Sequence, residues 1–351
     1  MLEGAWQRLV DMPGASGPPL GSGVIRSVAE DFQVDEVLGF EPDDDGEHVL
    51  LHIRKRDTNT QWLAGELARW VGIPPGDVSY AGLKDRHAVT TQWFSLRMTH
   101  RSEPDWQTFD NPLIEVLAAH RHRKKLRRGA LRGNRFQLRI RALSAEPEAM
   151  DVRLAQLRSA GMPNYFGEQR FGHDYQNLDR AAEIFSKHRR RVSRNLRGLV
   201  ISAVRSQLFN QVLAQRIEQG NWNRPVPGDY YMLEGTRSGF SDEQEEESRL
   251  TIRCETQDIH PSGPMWGRGR PLVSAQTAEL EQTVLEPFEA WRNGLEHVGL
   301  QQERRPLRVR LADLDWSFES GGDLLLSFFL PAGSYATALL RELILVQYPE
   351  E

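Results

Sequence analysis

Strand-type alternation of apolar and polar residues occurs towards both ends of this 351-residue chain, and helical spacing dominates the stretch between. Phe136-Gln137-Leu138-Arg139-Ile140-Arg141 alternates strictly, as a strand with one face in a core does. Phe32–Val37, His48–Arg54, Val78–Tyr80 and Thr91–Arg97 read as strands, and strands resume at Leu307–Leu311 and Leu324–Leu330. Residues 11–23 form a Gly-, Pro- and Ser-rich extended lead-in. One helix fits Thr60–Val71: Leu63, Leu67 and Val71 share a face, Gly72 can close the end, and Pro74-Pro75 bars continuation. Further helices fit Pro147–Ala160, Val200–Glu218 and Ala275–Leu295, and Ser334 is a good cap for a last one reaching about Val346. The texture changes near residue 145 and changes back near 306. A strand-rich part interrupted by a helix-rich one gives an α+β fold.

Apolar residues make up 39% and charged residues 26%, enough for a sizeable core. The single cysteine, Cys254, precludes an internal disulfide and a Cys-pair zinc site. Met1–Val10 has no apolar signal region, and no uncharged apolar run is long enough to span a bilayer. A cytoplasmic location is expected. His48 and His52 have metal-like spacing but lie on a strand with no third ligand nearby, so no metal is expected. The chain has no Walker loop, nucleophile elbow or dinucleotide fingerprint. Chemistry here is expected to need no cofactor.

The net charge of −5 hides a strong local bias. Between Arg121 and Arg141 stand Arg123, Lys124, Lys125, Arg127, Arg128, Arg132, Arg135 and Arg139, with no acid among them. A second cluster comprises Arg189, Arg190, Arg191, Arg194 and Arg197. Acids gather elsewhere, in Asp43-Asp44-Asp45 and in Asp242–Glu247. Such separation can present a basic groove to phosphates, although one basic run alone is as readily a solvated face.

Ala81-Gly82-Leu83-Lys84-Asp85-Arg86-His87-Ala88-Val89-Thr90 sets one carboxylate between two cations, after a glycine and before a strand. Lys84 and Arg86 are expected to lower the pKa of Asp85 and keep it ionised. It can then serve as nucleophile, base or ion-pair partner, or simply cap a turn. Asn134-Arg135-Phe136 opens a strand inside the basic run. An amide there can read a base edge and an aromatic can stack, or Phe136 can be the first core residue of its strand. Phe32, after Ala29-Glu30-Asp31, carries the same two readings. Pro163–Gly172 is dense in aromatics and glycines, and Tyr335 follows the loop Pro331-Ala332-Gly333-Ser334.

Glu30-Asp31-Phe32, Gly82–Thr90, Gly133-Asn134-Arg135-Phe136, Pro163–Gly172, Ser202–Asn210 and Leu330–Thr337 occur in the order that resembles the TruD family of tRNA pseudouridine synthases. The resemblance spans nearly the whole chain. It implies a mixed, largely antiparallel sheet of the pseudouridine synthase type with flanking helices. It also implies a catalytic domain over 1–158 and 306–351 and an inserted domain over 159–305. Asp85 falls on the family's nucleophile, attacking at C1′ or at C6. Phe32, Asn134 and Phe136 fall on substrate contacts, and so does Tyr335, where the family usually has phenylalanine. The implied reaction is conversion of uridine 13 of tRNA to pseudouridine by a monomer that uses neither cofactor nor metal. Arg123, Lys124, Lys125, Arg127, Arg128, Arg132, Arg190 and Arg194 are the expected grips on the RNA backbone. A non-catalytic tRNA-binding or tRNA-folding protein on the same scaffold and a carboxylate-based hydrolase are the alternatives.

Overall fold

In the computed structural model the alternating segments of the strand-rich part join a single sheet, except the expected strand Leu307–Leu311, of which only Arg308–Val309 is a strand, paired with Met162–Pro163 apart from that sheet. Residues 12–99, 102–127, 129–185 and 193–349 are described. The strands are β1 (Phe32–Leu38), β2 (His48–Arg56), β3 (Val78–Tyr80), β4 (Val89–Arg97), β5 (Ile114–His122), β6 (Leu131–Ile140), β7 (Asp315–Phe318) and β8 (Leu324–Pro331). Their order is β7-β8-β6-β1-β4-β2-β5, with β3 adding to β4. The β1–β4 pair is parallel, and the remaining neighbours run antiparallel. The described residues therefore form an α+β fold with a mixed, largely antiparallel sheet.

Register fixes what each face carries. Phe32, Val34 and Glu36 stand beside Leu138, Phe136 and Asn134, which stand beside Leu326, Phe328 and Leu330. Val34 aligns with Thr90 and Thr90 with Lys55, so Lys55, Ile53, Leu51 and Val49 share that face. Helix α1 (Thr60–Val71) covers part of it, packing Leu63 and Leu67 with Val49, Leu51, Ile53, Phe94 and Leu96. Each such buried side chain contributes roughly 1.5–3 kcal/mol. Helix α1 has the expected bounds and ends on Gly72 at φ 72°.

The chain divides into two compact units. One takes the chain up to Pro19, Met150–Leu311 and Ser334–Leu343; the other takes Leu20–Ala149, Ala312–Gly333 and the chain from Ile344. The sheet and α1 belong to the second. In the first, the long helix Arg194–Glu218 begins a turn and a half earlier than apolar spacing suggests, because the Ser193 hydroxyl accepts from the Leu196 amide and starts it. The expected helix over Ala275–Leu295 is broken. Ala275–Leu285 and Glu289–His297 are separated by a 3-10 turn at Glu286–Phe288, where Pro287 has no N–H to donate. The last helix, Ala336–Leu343, stops short of Val346. In the second unit Leu345–Gln347 instead pairs in parallel with Ser22–Val24, inside the lead-in expected to be merely extended.

Gly133 lets β6 and β8 approach closely, since a Cβ there would meet the Leu330 oxygen and the Phe329 ring. Gly133→Ala should lower stability by about 1–3 kcal/mol through overpacking. A thermal melt reads this as a drop of several degrees, and an unchanged melt would remove this account of the β6–β8 contact.

Candidate active site

Asp85 lies on the loop between β3 and β4, with no helix or strand of its own. Buried polar side chains hold that loop to the sheet. The Thr60 hydroxyl at the start of α1 accepts from the Lys84 amide at 3.1 Å and donates to Gln92 Oε1 at 3.0 Å. Gln92 Nε2, from β4, donates to the Gly82 carbonyl at 2.6 Å. Lys55, from β2, is fully buried, and its Nζ donates to the carbonyl oxygens of Thr58 at 2.7 Å and Asp85 at 3.0 Å.

The cation on the Asp85 carboxylate is Arg26, which sequence reasoning missed. Its Nη2 donates to Oδ2 at 2.5 Å, and the Asp85 side chain stays 36% exposed. Arg26 has φ 60°, a left-handed backbone that turns its side chain towards the loop, and its guanidinium lies 4.0 Å over the Phe32 ring. Neither neighbour in sequence makes this contact. The Lys84 ammonium turns into the sheet to meet Glu36 at 2.5 Å, and Arg86 is exposed. The charge beside Asp85 in sequence is thus not the charge beside it in space.

Glu36 is buried and also accepts from the Trp93 amide at 2.8 Å. Burial pushes its carboxyl up from the usual range, against the opposing pull of Lys84 and the Trp93 amide. Asn134 stands opposite Glu36 in the β1–β6 register. The strand pair thus connects Asn134, through Glu36 and Lys84, to the residue before Asp85. Asn134 Oδ1 is buried and has no hydrogen-bond partner among the described residues. Phe136 is 8% exposed, stacked on Phe328 at 5.2 Å and edge-on to Phe32 at 6.3 Å, and Phe32 itself is 3% exposed. Of these rings, Phe32 lies beneath Arg26 and Phe136 packs against it.

Much of the basic run meets acids that lie far off in sequence. Arg121 pairs with Glu103, and Arg123 with Asp45 at 3.2 Å. Arg139 bonds Glu319 and Asp323, while Arg141 is bidentate to the buried Asp31. The acids at 43–45 are thus segregated in sequence but not in space: Asp43 reaches His122, and Asp44 reaches His120. Lys125 donates to the Gly76 carbonyl. Lys124, Arg127, Arg132 and Arg135 are exposed and make no ion pair among the described residues, and Arg132 lies over the Phe329 ring. Arg128 and Arg190 lie outside the described residues. Arg194 is exposed at the start of its helix.

The family model for tRNA pseudouridine synthase D (TruD) matches residues 15–184 and 174–343. A tRNA pseudouridine synthase D from Methylococcus capsulatus is 48% identical over 95% of this chain and 94% of its own length. One from Nitrosococcus oceani is 48% identical over 94% and 92%. The chain belongs to the TruD family. A crystal structure described as tRNA pseudouridine synthase D from Methanosarcina mazei shares the fold, with TM-score 0.70 at 23% identity over 93% of this chain and 94% of that one.

Of the remaining TruD-like motifs, Pro163–Gly172, Ser202–Asn210 and the Ser334–Thr337 part of the last lie in the other compact unit, where they act as packing hubs. Asn210 exchanges hydrogen bonds with both main-chain groups of Phe166. The buried Asn164 accepts from Arg305 at 2.5 Å and donates to the Pro306 carbonyl. Arg170 donates to the Tyr335 hydroxyl and to the Ser202 hydroxyl, each at 3.0 Å. The Tyr335 hydroxyl is thus fixed by an arginine of the Pro163–Gly172 run.

Lys84→Met should cost roughly 3–5 kcal/mol, because it leaves Glu36 charged and buried without its cation. The raised carboxyl sets the pH dependence: the loss is full above the folded pKa and shrinks as protons bind below it. Melts at neutral pH and at about pH 5 should show the variant recovering on acidification. A deficit independent of pH would separate Lys84 from Glu36.

Proposed function

We propose that this isomerase converts uridine 13 of tRNA to pseudouridine with Asp85 as the nucleophile. The supporting observation is a partly exposed carboxylate tethered by Arg26, one residue from Lys84, which meets Glu36 across the strands from an amide with an unused buried acceptor. The target base must first leave its stack, which costs a few kcal/mol. Asp85 then attacks the reacting nucleoside at C1′ or C6, and the N1–C1′ bond breaks. The uracil turns and rejoins the ribose through C5, the bond to the Asp85 oxygen breaks to return the carboxylate, and the C5 proton is lost while N1 takes up a proton. The reaction is a redox-neutral isomerisation, so its electron balance asks for no oxidant or reductant. Asn134 offers an acceptor and two donors to the uracil edge while the base turns.

Phe32 and Phe136 are proposed as the stacking floor. The planar guanidinium over Phe32 occupies the kind of place a planar base would take. Tyr335 is carried over as a further substrate contact through its motif position. Lys124, Arg127 and Arg132 are the favoured phosphate grips, since acids do not engage them among the described residues. The inserted domain is proposed over 159–305, and the enzyme is proposed to act as a cytoplasmic monomer. No helix among the described residues is long and apolar enough to cross a membrane. A hydrolase built on paired carboxylates has little support, because Glu36 is buried under Lys84 and the Trp93 amide.

Asp85→Asn should reduce pseudouridine formation by about 10³-fold or more while tRNA binding persists. Nucleotide-resolved mapping of pseudouridine in tRNA checks both the residue and the site. Wild-type protein that binds tRNA and leaves every uridine unchanged would favour the tRNA-folding alternative. Alanine at Lys124, Arg127 or Arg132 should flatten the plot of log affinity against log salt by up to about 0.9 each, and an unaltered slope removes that residue from the RNA path.

A further inference from the structure

We propose that Lys55 is a positioning residue that holds the Asp85 main chain in its reactive place and makes the reaction sensitive to mildly alkaline pH. This rests on Asp85 being the reacting carboxylate. The geometry is specific. Lys55 is the inward residue of β2 at the level of Thr90, fully buried, with its ammonium inserted between two loop carbonyls. One acceptor is Asp85 itself and the other is Thr58, between β2 and α1. The ammonium therefore ties the Asp85 loop to the start of the neighbouring segment from below, while Arg26 holds the carboxylate from the side. A lysine buried without a carboxylate in direct contact is uncommon, since burial disfavours its charge. Its two acceptors are main-chain oxygens that an uncharged side chain of similar length would leave without a donor.

Its titration follows from what faces it. Burial lowers the ammonium from 10.5 to about 8. Asp85 on the loop, Glu36 on β1 and Asp57 just beyond β2 pull the other way, while Lys84 on the loop adds to the lowering. Below about 8 Lys55 is charged and its two hydrogen bonds are charge-assisted. As pH rises through that value the proton leaves, the clamp weakens, and the cluster of Arg26, Lys84, Lys55, Asp85 and Glu36 loses one positive charge. The effect on stability has the opposite sign. A lysine whose folded pKa lies below its unfolded one opposes folding while ionised. Wild-type stability should therefore rise, not fall, as pH passes about 8, whereas a variant without the amine leaves the Thr58 and Asp85 carbonyls without their donor and is destabilised on that account.

The test is single-turnover pseudouridine formation on unmodified full-length tRNA from about pH 6 to 10, with wild type, Lys55→Met and Lys55→Arg. Wild type should slow above about pH 8. Lys55→Met should be about 10²-fold slower at neutral pH, with no further alkaline fall and an unchanged tRNA dissociation constant. Lys55→Arg keeps its charge throughout and should lack the fall near 8. A wild-type rate level through that range overturns the inference even if both variants misfold. So does wild-type behaviour in Lys55→Met, an effect on tRNA affinity alone, or an alkaline fall retained in Lys55→Arg. Asp85→Asn is the control. Product from that variant removes the nucleophile reading, while an inactive Asp85→Asn with a Lys55-independent profile removes only the present inference.

Discussion

The Asp85 carboxylate has no secondary structure to hold it, and everything proposed for this protein depends on how its loop is fastened to the sheet. The fastening is polar and buried. Thr60 and Gln92 bind the main chain at Lys84 and Gly82, Lys55 binds it at Asp85, and Glu36 draws the Lys84 side chain down. These anchors come from β1, β2, α1 and β4, which the sheet register brings to one face. An exposed loop tied only at its ends samples many conformations, and each ordered residue loses about 1–2 kcal/mol of backbone freedom. Spreading the ties over consecutive residues lets a surface loop carry a side chain at a set point, as pre-organised chemistry requires.

How far this was legible in the sequence depended on the range of the interaction. Local rules placed helix α1 to the residue, because its cap, apolar stripe and terminal glycine all lie within a dozen positions. They failed at Pro287, where apolar spacing continued across a residue that cannot donate, and at Leu345–Gln347, whose partner strand is more than 300 residues away. The site divided in the same way. Asp85 and Asn134 stood out by their own runs, but Arg26 did not, since its pairing with Asp85 is set by a left-handed turn and the folded sheet. Lys55 did leave a signal. It occupies an inward position in an otherwise apolar alternation with Val49, Leu51 and Ile53, and a charge on the buried side of a strand needs a reason.

Charge read along a chain and charge read in space are different quantities. The run from Arg121 to Arg141 contains no acid, yet Arg121, Arg123, Arg139 and Arg141 meet carboxylates from four other segments. A groove of about 620 Å³ lined by Gln33, Gln137, Arg139, Arg141 and Trp316 illustrates the consequence. It holds two arginines, but Asp31, Glu319 and Asp323 already engage them, so a phosphate would compete with carboxylates that are present at all times. Cations left to solvent release their counterions on meeting RNA, and those already paired gain little. On the proposed reading this favours Lys124, Arg127 and Arg132 within the run.

Lys55 and Glu36 form an anchorage where apolar replacements would pack more cheaply. Burial drives the two groups in opposite directions, the ammonium down and the carboxyl up, so each opposes folding in its charged form. A sheet selected only for stability would fill those positions as it fills Ile53 and Val34. Lys84 offsets the burden at Glu36 directly, whereas Lys55 is answered by carbonyl dipoles and by Asp85 at one remove. The two buried charges therefore differ in kind. Glu36 belongs to a pair that could be exchanged for hydrophobic residues together. Lys55 is bound to the residue proposed to react, and on that reading its charge is needed unless the loop is held in some other way.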